Sequence, residues 1–306
     1  SLAFDGGPIT SADVGFKIAP KLNALSRMDT SLKPIDLYQV GELATAKSWV
    51  QAVMETNDLR KSFQSMADQL AAEYLATHQV ENFVWLYSDQ IHRGIMGLVA
   101  TKVTSQTGLP SFVGHLTEAG TIVGSARGPS RSNVDLTEIL GACSSALHQF
   151  GGHAKAAGFE LDKSKAEAFR SALREYFIAN PEGLQKQSWH HDGVARISEI
   201  SNDFMMWLSH LEPFGTGFPV PSFHLCDHII LSCRLLKGGH LKLSILDPSD
   251  KKNLDAIWFS PPAGKDYIEE SGSGDTSVDC WVQPQWNEFQ GRKSIQLLVQ
   301  DMVKKS

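Results

Sequence analysis

The four residues Asn180-Pro181-Glu182-Gly183 divide this chain into two stretches of different pattern. The proline cannot continue a helix and the glycine frees the backbone, so the run punctuates whatever precedes it. Before it, strand-like and helix-like segments alternate. Phe83-Val84-Trp85-Leu86-Tyr87 reads as a buried strand, followed by a helix from about Arg93 to Thr107 that Gly108 and Pro110 stop. Short strands follow near Phe112-Val113 and from Thr121 to Ser125, then a helix from Val134 to His148 with Asp135 as its cap. Phe150-Gly151-Gly152-His153 reads as a tight turn and Ala156 to Leu161 as a strand. Asp162 then caps an amphipathic helix carrying Ala166, Phe169, Leu173 and Phe177. This alternation predicts an α/β layer.

Ahead of that layer, Leu43, Ala46, Val50, Val53 and Met54 recur at helical spacing. A long helix with a narrow apolar stripe is predicted from Asp36 to about His78, the pattern of a connecting element. Beyond Gly183, apart from a short helix near Asp203 to His210, the chain reads as strands. Leu241, Leu243 and Ile245 alternate with His240, Lys242 and Ser244, and Ile295, Leu297 and Val299 alternate with Ser294, Gln296 and Gln300. Several short strands of this kind suggest an OB-type β-barrel, although periodicity alone leaves a sandwich open. The predicted organisation is a leading segment over 1–80, an α/β domain with a mixed sheet over 81–182, and an all-β domain over 183–306.

A net charge of -6 excludes a chain coated in positive potential, so any nucleic-acid binding must use a local basic cleft. Residues 81–181 carry 9 basic and 9 acidic side chains, against 7 and 9 before them and 12 and 16 after. The middle stretch, the least acidic, also holds the candidate phosphate ligands. Cys143, Cys226, Cys233 and Cys280 form no C-x-x-C pair and read as reduced, mostly buried thiols of a cytoplasmic protein. No apolar run approaches the roughly 20 residues of a membrane helix, and Ser1 to Gly15 lacks the pattern of a secretory signal.

Three segments could hold phosphate. In Phe150-Gly151-Gly152-His153-Ala154-Lys155-Ala156-Ala157-Gly158, two glycines allow close backbone approach and His153 can donate to an anion; a plain Gly-Gly turn with a surface histidine fits equally well. Gly124-Ser125-Ala126-Arg127-Gly128-Pro129-Ser130-Arg131 offers hydroxyls and two guanidiniums, as ordinary loops also do. His92 and Arg93 stand at a helix start, where anions are favoured, with Gly94 and Gly97 read as helix-to-sheet packing positions and a capping role open for His92. In the last domain Lys237, His240, Lys242, Arg292 and Lys293 could line a groove, and Trp258, Trp281, Trp286 and Phe289 could stack on bases, although strand aromatics are more often core. His190-His191-Asp192 falls in a predicted strand, where neighbouring rings point apart, and is not expected to bind metal. No aspartate cluster, H-E-x-x-H or Ser-His-Asp set stands out.

Together these segments resemble the RecJ exonuclease family of the DHH superfamily. His92-Arg93-Gly94-Ile95-Met96-Gly97-Leu98-Val99-Ala100, Gly124-Ser125-Ala126-Arg127 and Phe150-Gly151-Gly152-His153 with Ala156-Ala157-Gly158 are similar, in order and spacing, to the marks of its DHH-associated domain. Ile18-Ala19-Pro20-Lys21-Leu22-Asn23-Ala24 with Arg27 resembles the end of its catalytic domain, with Ser26 replacing a glycine. Asn57-Asp58-Leu59-Arg60-Lys61 resembles its connecting helix. Pro213-Phe214-Gly215-Thr216-Gly217-Phe218-Pro219-Val220-Pro221-Ser222-Phe223 is similar to a family segment with asparagine at Phe218, and Asn287-Glu288-Phe289-Gln290-Gly291 with Gln296-Leu297 to the closing OB strands.

The resemblance implies that Arg127 and His153 hold phosphates, that Gly151 and Gly152 offer amides and Ser125 a hydroxyl, with His92 and Arg131 nearby. It also implies that the OB domain grips single-stranded DNA. The family's aspartate-rich motifs, which hold two Mn²⁺ or Mg²⁺ ions, belong upstream of Pro20, and residues 1–19 do not supply them. The expectation is a segment of a 5′-to-3′ single-strand exonuclease of DNA repair and recombination that binds without cutting, with single-strand-binding or repair proteins as further partners. A small-nucleotide phosphodiesterase of the same superfamily and a non-catalytic replication or repair scaffold are the alternatives; residues 185–306 count against the first.

Overall fold

In the computed structural model, residues 9, 13–185, 188–262, 268, 276–289 and 292–305 are described. The fold divides near residue 187 into two compact units, each with its own apolar core.

The first unit opens with a π turn, Val14–Ile18, and helix α1, Ala19–Arg27. The helix expected from Asp36 to His78 is two: α2, Pro34–Gln39, and α3, Leu43–Thr77. Pro34 starts α2 where its missing N–H costs nothing, and Val40 turns extended before Gly41, which separates them. Of the 35 residues in α3, only Val53, Asn57, Ala67 and Ala71 are buried; of the stripe read from spacing, Val53 alone is in the core and Leu43 is exposed.

A five-stranded sheet follows, with order β1-β2-β3-β5-β4. Its strands are β1, Val84–Ser88; β2, Ser111–Leu116; β3, Thr121–Arg127; β4, Gln149–His153; and β5, Ala156–Asp162. β1 and β2 run parallel and the other pairs antiparallel, so the sheet is mixed. Helix α4, Met96–Thr107, ends on Gly108 at φ 70 and lies on one face with Val84, Leu86 and Val113. Helices α5, Leu136–Ala142, and α6, Ala166–Ala179, cover the other face, where Trp85, Phe112, Phe159 and Phe169 interlock. Alternation along β3 sorts the two: Ile122 and Ala126 are fully buried on the α6 side, while Val123, Ser125 and Arg127 face the α4 side.

Three sequence expectations change here. The Asp135 carboxylate caps α5 as expected, accepting from the Thr137 and Glu138 amides, but that helix ends at Ala142 rather than His148. The shortening frees the chain to turn back and run β4 along β5. Phe150-Gly151-Gly152-His153 is accordingly that strand rather than a turn, and the turn falls at Ala154-Lys155. Asp162 makes no cap bond; it pairs with His148 Nε2 at 3.0 Å, and a 3₁₀ turn over Lys163–Lys165 leads into α6.

The second unit holds β6, Gly193–Val194; α7, Asn202–His210; β7, Phe223–Leu236; β8, His240–Asp247; β9, Lys252–Trp258; β10, Ser277–Phe289; and β11, Arg292–Lys304. Antiparallel pairs join β7 to β8, β8 to β9 and β10 to β11; β9 meets β11 in parallel, and β10 pairs back onto β7. The last pairing closes a five-stranded OB-type barrel, which removes the sheet edges. Leu241, Leu243 and Ile245 point inward at 1% exposure or less, as their alternation predicts. His190-His191-Asp192 is not strand; Asp192 instead accepts from the Ser222 amide. All four cysteines are free. Cys143 and Cys280 are buried, and burial pushes the Cys143 thiol up to about 12. Among the described residues no helix is long and apolar enough to cross a membrane.

Candidate nucleic-acid interface

Strand register builds the site. Arg127 on β3 and His153 on β4 are both the cross-strand partners of Ala156 on β5. Opposed residues of antiparallel strands share a face, so both side chains project to the α4 side, two strand spacings or roughly 10 Å apart at the backbone. The next rung on that face is Ser125–Gly158–Gly151 and the one beyond it Val123–Glu160–Gln149. Ala156, Gly158 and all of β4 are exposed. The middle rung carries no side chain except one hydroxyl, which leaves a bare backbone floor. A groove of about 380 Å³ lies there, bordered by Val123, Gln149, Gly151, Gly158 and Glu160. Glu160 accepts from Gln149 at 2.8 Å and makes the third rung the acidic end.

The two glycines of the motif do different things. A Cβ on Gly152, at φ 149, would meet the Ala156 carbonyl oxygen at 2.4 Å and Ala157 Cα at 2.5 Å, so this glycine is needed for β4 to pair. A Cβ on Gly151 would meet nothing within 4 Å, so its absence only keeps the floor open. β4 is the edge strand, so half of its backbone groups point out of the sheet. Lys155 serves the turn: its ammonium donates to the Ser132 and Val134 carbonyls at 2.6 and 2.9 Å and ties the β4–β5 hairpin to the loop before α5.

At the basic end, Arg127 Nη1 donates to Ser125 Oγ at 3.0 Å and to its neighbouring carbonyl, Ala126 O, at 2.8 Å, which folds the guanidinium back over the floor. A Cβ on Gly97, in the first turn of α4, would lie 2.6 Å from Arg127 Nη2 and 3.3 Å from Ser125 Oγ. Gly97 thus lets the helix amide end and the guanidinium share one spot, where an anion is favoured. Gly94 packs on α1 rather than on the sheet, since a Cβ there would lie 1.7 Å from the Arg27 carbonyl oxygen. His92 caps the 3₁₀ turn Arg93–Ile95, its Nδ1 accepting from the Gly94 amide at 3.1 Å, and its ring lies 5.0 Å from Phe63. Arg93 approaches Asp29 at 3.9 Å, and Arg131 sits on the turn after β3.

Two further guanidiniums join Arg127. Arg27 donates to the Gly94 carbonyl at 3.0 Å, and Arg60 on α3 donates to Gln64 and Asn57 at 3.0 and 3.3 Å, with its Nε buried and without a partner. Arg60 and Arg127 both fall below the ordinary arginine range, first because burial penalises the charged form and second because the Arg27 charge is close to each. Arg27 is therefore near both. The influence of Arg27 on both marks this region as a concentration of positive charge. Neither Arg27 nor Arg60 lies in a locally recognisable phosphate motif; only the converging helices α1, α3 and α4 reveal them.

On the barrel the basic candidates do not form one groove. His240 and Lys242 point outward on β8, with Lys237 at the β7–β8 turn. Arg234 stands directly across from Lys242, adding a cation that the sequence pattern did not single out. Continuing the parallel register from Gln296↔Asp255 sets Lys293 and Arg292 toward the opposite end of β9, near the β8–β9 turn. The length of β8, about 23 Å, separates the two groups. Lys242 is engaged with Asp255 at 2.9 Å, and His240 Nδ1 accepts from the Ser260 amide. Trp258 is 3% exposed and belongs to the core rather than to a stacking surface. Trp281 stacks on His224, and Lys293 lies 4.2 Å over Trp286. The Phe289 side chain lies outside the described residues.

A mixed α/β layer with a glycine-floored, guanidinium-rimmed face, followed in the same chain by a closed OB barrel, defines a two-module class of protein. The DHHA1 domain family matches residues 66–179 and the RecJ OB domain family matches residues 191–301. The chain thus carries matches to two domain families in the same order, and it is similar to the C-terminal part of RecJ proteins. The single-stranded-DNA-specific exonuclease RecJ of Dickeya dadantii is 26% identical over 97% of this chain and 52% of its own length. The Bacillus subtilis protein of that name is 26% identical over 98% of this chain and 38% of its own length. The chain thus spans about half the length, or less, of these relatives. A crystal structure of RecJ in complex with Mg²⁺ from Thermus thermophilus superposes with a TM-score of 0.76 at 23% identity, covering 98% of this chain and 45% of that one; its Mn²⁺ complex gives 0.75. The residues around the basic face do not fit such ions. Hard divalent cations take clustered carboxylates, and the described residues bring none together there; the one group of three His, Cys, Asp or Glu side chains with adjacent ligand atoms is His224, Cys226 and Asp279 on the barrel.

Proposed function

We propose that this chain is the single-stranded-DNA-binding portion of a RecJ-type 5′-to-3′ single-strand exonuclease of DNA repair and recombination. On this reading the mixed-sheet face takes the sugar–phosphate backbone and the barrel holds the strand further along. The observation that carries it is the placement of Arg127, Ser125, Gly151 and His153 on adjacent rungs of one open face, with the Arg27 and Arg60 charges gathered at the same end. Clustered guanidiniums favour an anion, and a floor without side chains admits a polymer rather than only a terminal phosphate. The metal ions of hydrolysis, Mn²⁺ or Mg²⁺, would be held by residues other than these. Residues 81–182 and 183–306 act as the two binding modules, with 1–80 supplying Arg27 and Arg60.

The test is a fluorescence-anisotropy titration of the chain with labelled single-stranded and duplex oligonucleotides and with a mononucleotide, at several salt concentrations. Single strands bind most tightly, with affinity falling steeply as salt rises. Arg127→Ala weakens binding roughly ten- to a hundredfold, with little change in melting temperature and a shallower salt dependence. Equal affinity for a mononucleotide and a long single strand would refute the polymer reading. An unchanged affinity in Arg127→Ala would refute the site.

A further inference from the structure

The second unit contains a side-chain cluster that nucleic-acid binding does not use. On β7 and β10, Trp281 stands opposite His224 and Cys280 opposite Leu225, but the register then slips before Val278 meets His228. Across that bulge Cys226 and Asp227 face the single residue Asp279, and Asp227 adopts φ 59 to allow it. Leu225, Val278 and Cys280 fill the barrel interior, while His224, Cys226 and Asp279, each half-buried, gather on its outer side. Cys226 Sγ lies 3.5 Å from His224 Nδ1 and 3.8 Å from its Nε2, and Nε2 lies 3.8 Å from Asp279 Oδ2. One ligand atom from each of the three residues comes within 4.8 Å of the others.

The surroundings orient these groups. Asp279 Oδ1 accepts from the Asp227 amide at 3.0 Å and pairs with Lys305 at 3.5 Å, which turns Oδ2 toward the histidine. The His224 ring lies flat on Trp281, 4.5 Å away at 4°. The His191 ring is 5.3 Å from that of His224, and its Nδ1 is buried with no hydrogen-bond partner. A buried ring nitrogen left unbonded is costly unless something else engages it.

We propose that this bulge is a binding site for a divalent first-row transition ion of the Zn²⁺ kind, held by His224, Cys226 and Asp279 with His191 turning to the fourth position. Tetrahedral zinc, with bonds of about 2.3 Å to sulfur and about 2.0–2.2 Å to nitrogen and oxygen, sets neighbouring ligand atoms roughly 3.3–3.8 Å apart. The separations from His224 to Cys226 and to Asp279 fall at the upper edge of that range, and all three ligand atoms lie within 4.8 Å of one another, so an inward shift of Cys226 and Asp279 completes the site. A thiolate and imidazoles select against Mg²⁺ and Mn²⁺, which separates this site from the ions found in the structures of the relatives. On binding, Cys226 releases its thiol proton to solvent, and thiolate and carboxylate together balance the 2+ charge. The ion would clamp β7 to β10 where their ladder is broken and, through His191, hold the segment that leads into β6.

The test uses the whole chain, stripped with a chelator and titrated with Co²⁺ as a spectroscopic probe and then with Zn²⁺. One equivalent of Co²⁺ produces a thiolate-to-metal charge-transfer band that Zn²⁺ abolishes. Zn²⁺ raises the melting temperature by more than about 2 °C and shields Cys226 from a thiol reagent. The band disappears in Cys226→Ser, a conservative change at a half-buried position, and Zn²⁺ affinity falls more than about tenfold in His224→Ala and Asp279→Asn. His190→Ala leaves it unchanged. Absence of the band in the unsubstituted chain overturns the proposal without reliance on any variant, as does a band that persists in Cys226→Ser. An unaltered affinity in His191→Ala removes the fourth ligand.

Discussion

At the scale of single residues, glycines do as much as charges to shape the open sheet face, and each does so for a separable reason. Gly152 and Gly97 both leave no room for a Cβ, but their obstacles differ. At Gly152 the obstacle is backbone, which cannot give way, and the φ of 149 adds strain for any other residue. At Gly97 it is chiefly the end of the Arg127 side chain, which can swing aside. Gly152→Ala is therefore expected to destabilise the first unit by about 1–3 kcal/mol, read as a lower denaturation midpoint. Gly97→Ala should leave the midpoint nearly unchanged, since a helix gains from alanine about what the displaced guanidinium loses. Its effect should appear instead as weaker single-strand binding. If Gly97→Ala binds normally, the position of Arg127 against α4 is not part of the site.

At the scale of elements, the contact that fixes α6 against the sheet is more polar than its apolar stripe suggests. Glu81, just ahead of β1, receives Arg174 Nε and Nη2 at 2.7 and 2.8 Å and Arg170 Nη2 at 3.1 Å. The hydrogen bonds from Arg174, before any other influence, hold its carboxyl below the ordinary glutamate range. A carboxyl depressed by folding stabilises the native state above its unfolded pKa, and that contribution is lost as pH falls through the folded one. The loss accordingly belongs to the acid side of the usual glutamate value, below about pH 4.3. Because all three groups are partly exposed, Glu81→Gln should cost no more than about 1 kcal/mol at neutral pH. The melting temperature of the variant should also depend less on pH below that point. An identical acid profile in the two proteins would show that Glu81 contributes nothing to folding. None of this was legible in the sequence, because Glu81 and Arg174 are 93 residues apart.

At the scale of the whole molecule, the described residues form three apolar cores, one on each face of the first unit's sheet and one inside the barrel. The apolar cluster around Phe112, Phe159 and Phe169 shares no residue with the one around Leu243, Ile245 and Val282. The barrel is closed by its own β7–β10 pairing and so leaves no edge that would need another element to cover it. Residues 188–306 expressed alone are expected to give a β-rich circular-dichroism spectrum and one cooperative unfolding transition. A disordered product would show that the barrel requires the first unit. Expressed in this way, the barrel also permits the Co²⁺ titration to be repeated without the arginine cluster.

Sequence by itself determined what depends on near neighbours. The period-two run of β8, the cap at Asp135 and the amphipathic α6 all follow from spacing, because exposure alternates with local geometry. The segments around Arg127 and His153 were also visible as motifs, but not that both oppose Ala156. That juxtaposition depends on strand order. A chain that inserts β5 between β3 and β4 brings two motifs of uncertain meaning onto one face, and periodicity carries no information about order. Tertiary packing alone decided the rest: it placed Arg27 and Arg60 beside Arg127, made Gly151-Gly152 an edge strand rather than a turn, and slipped the β7–β10 register so that Cys226 and Asp279 meet. Like charges crowd together, and a ladder breaks, only when longer-range burial of the surrounding elements outweighs the local cost.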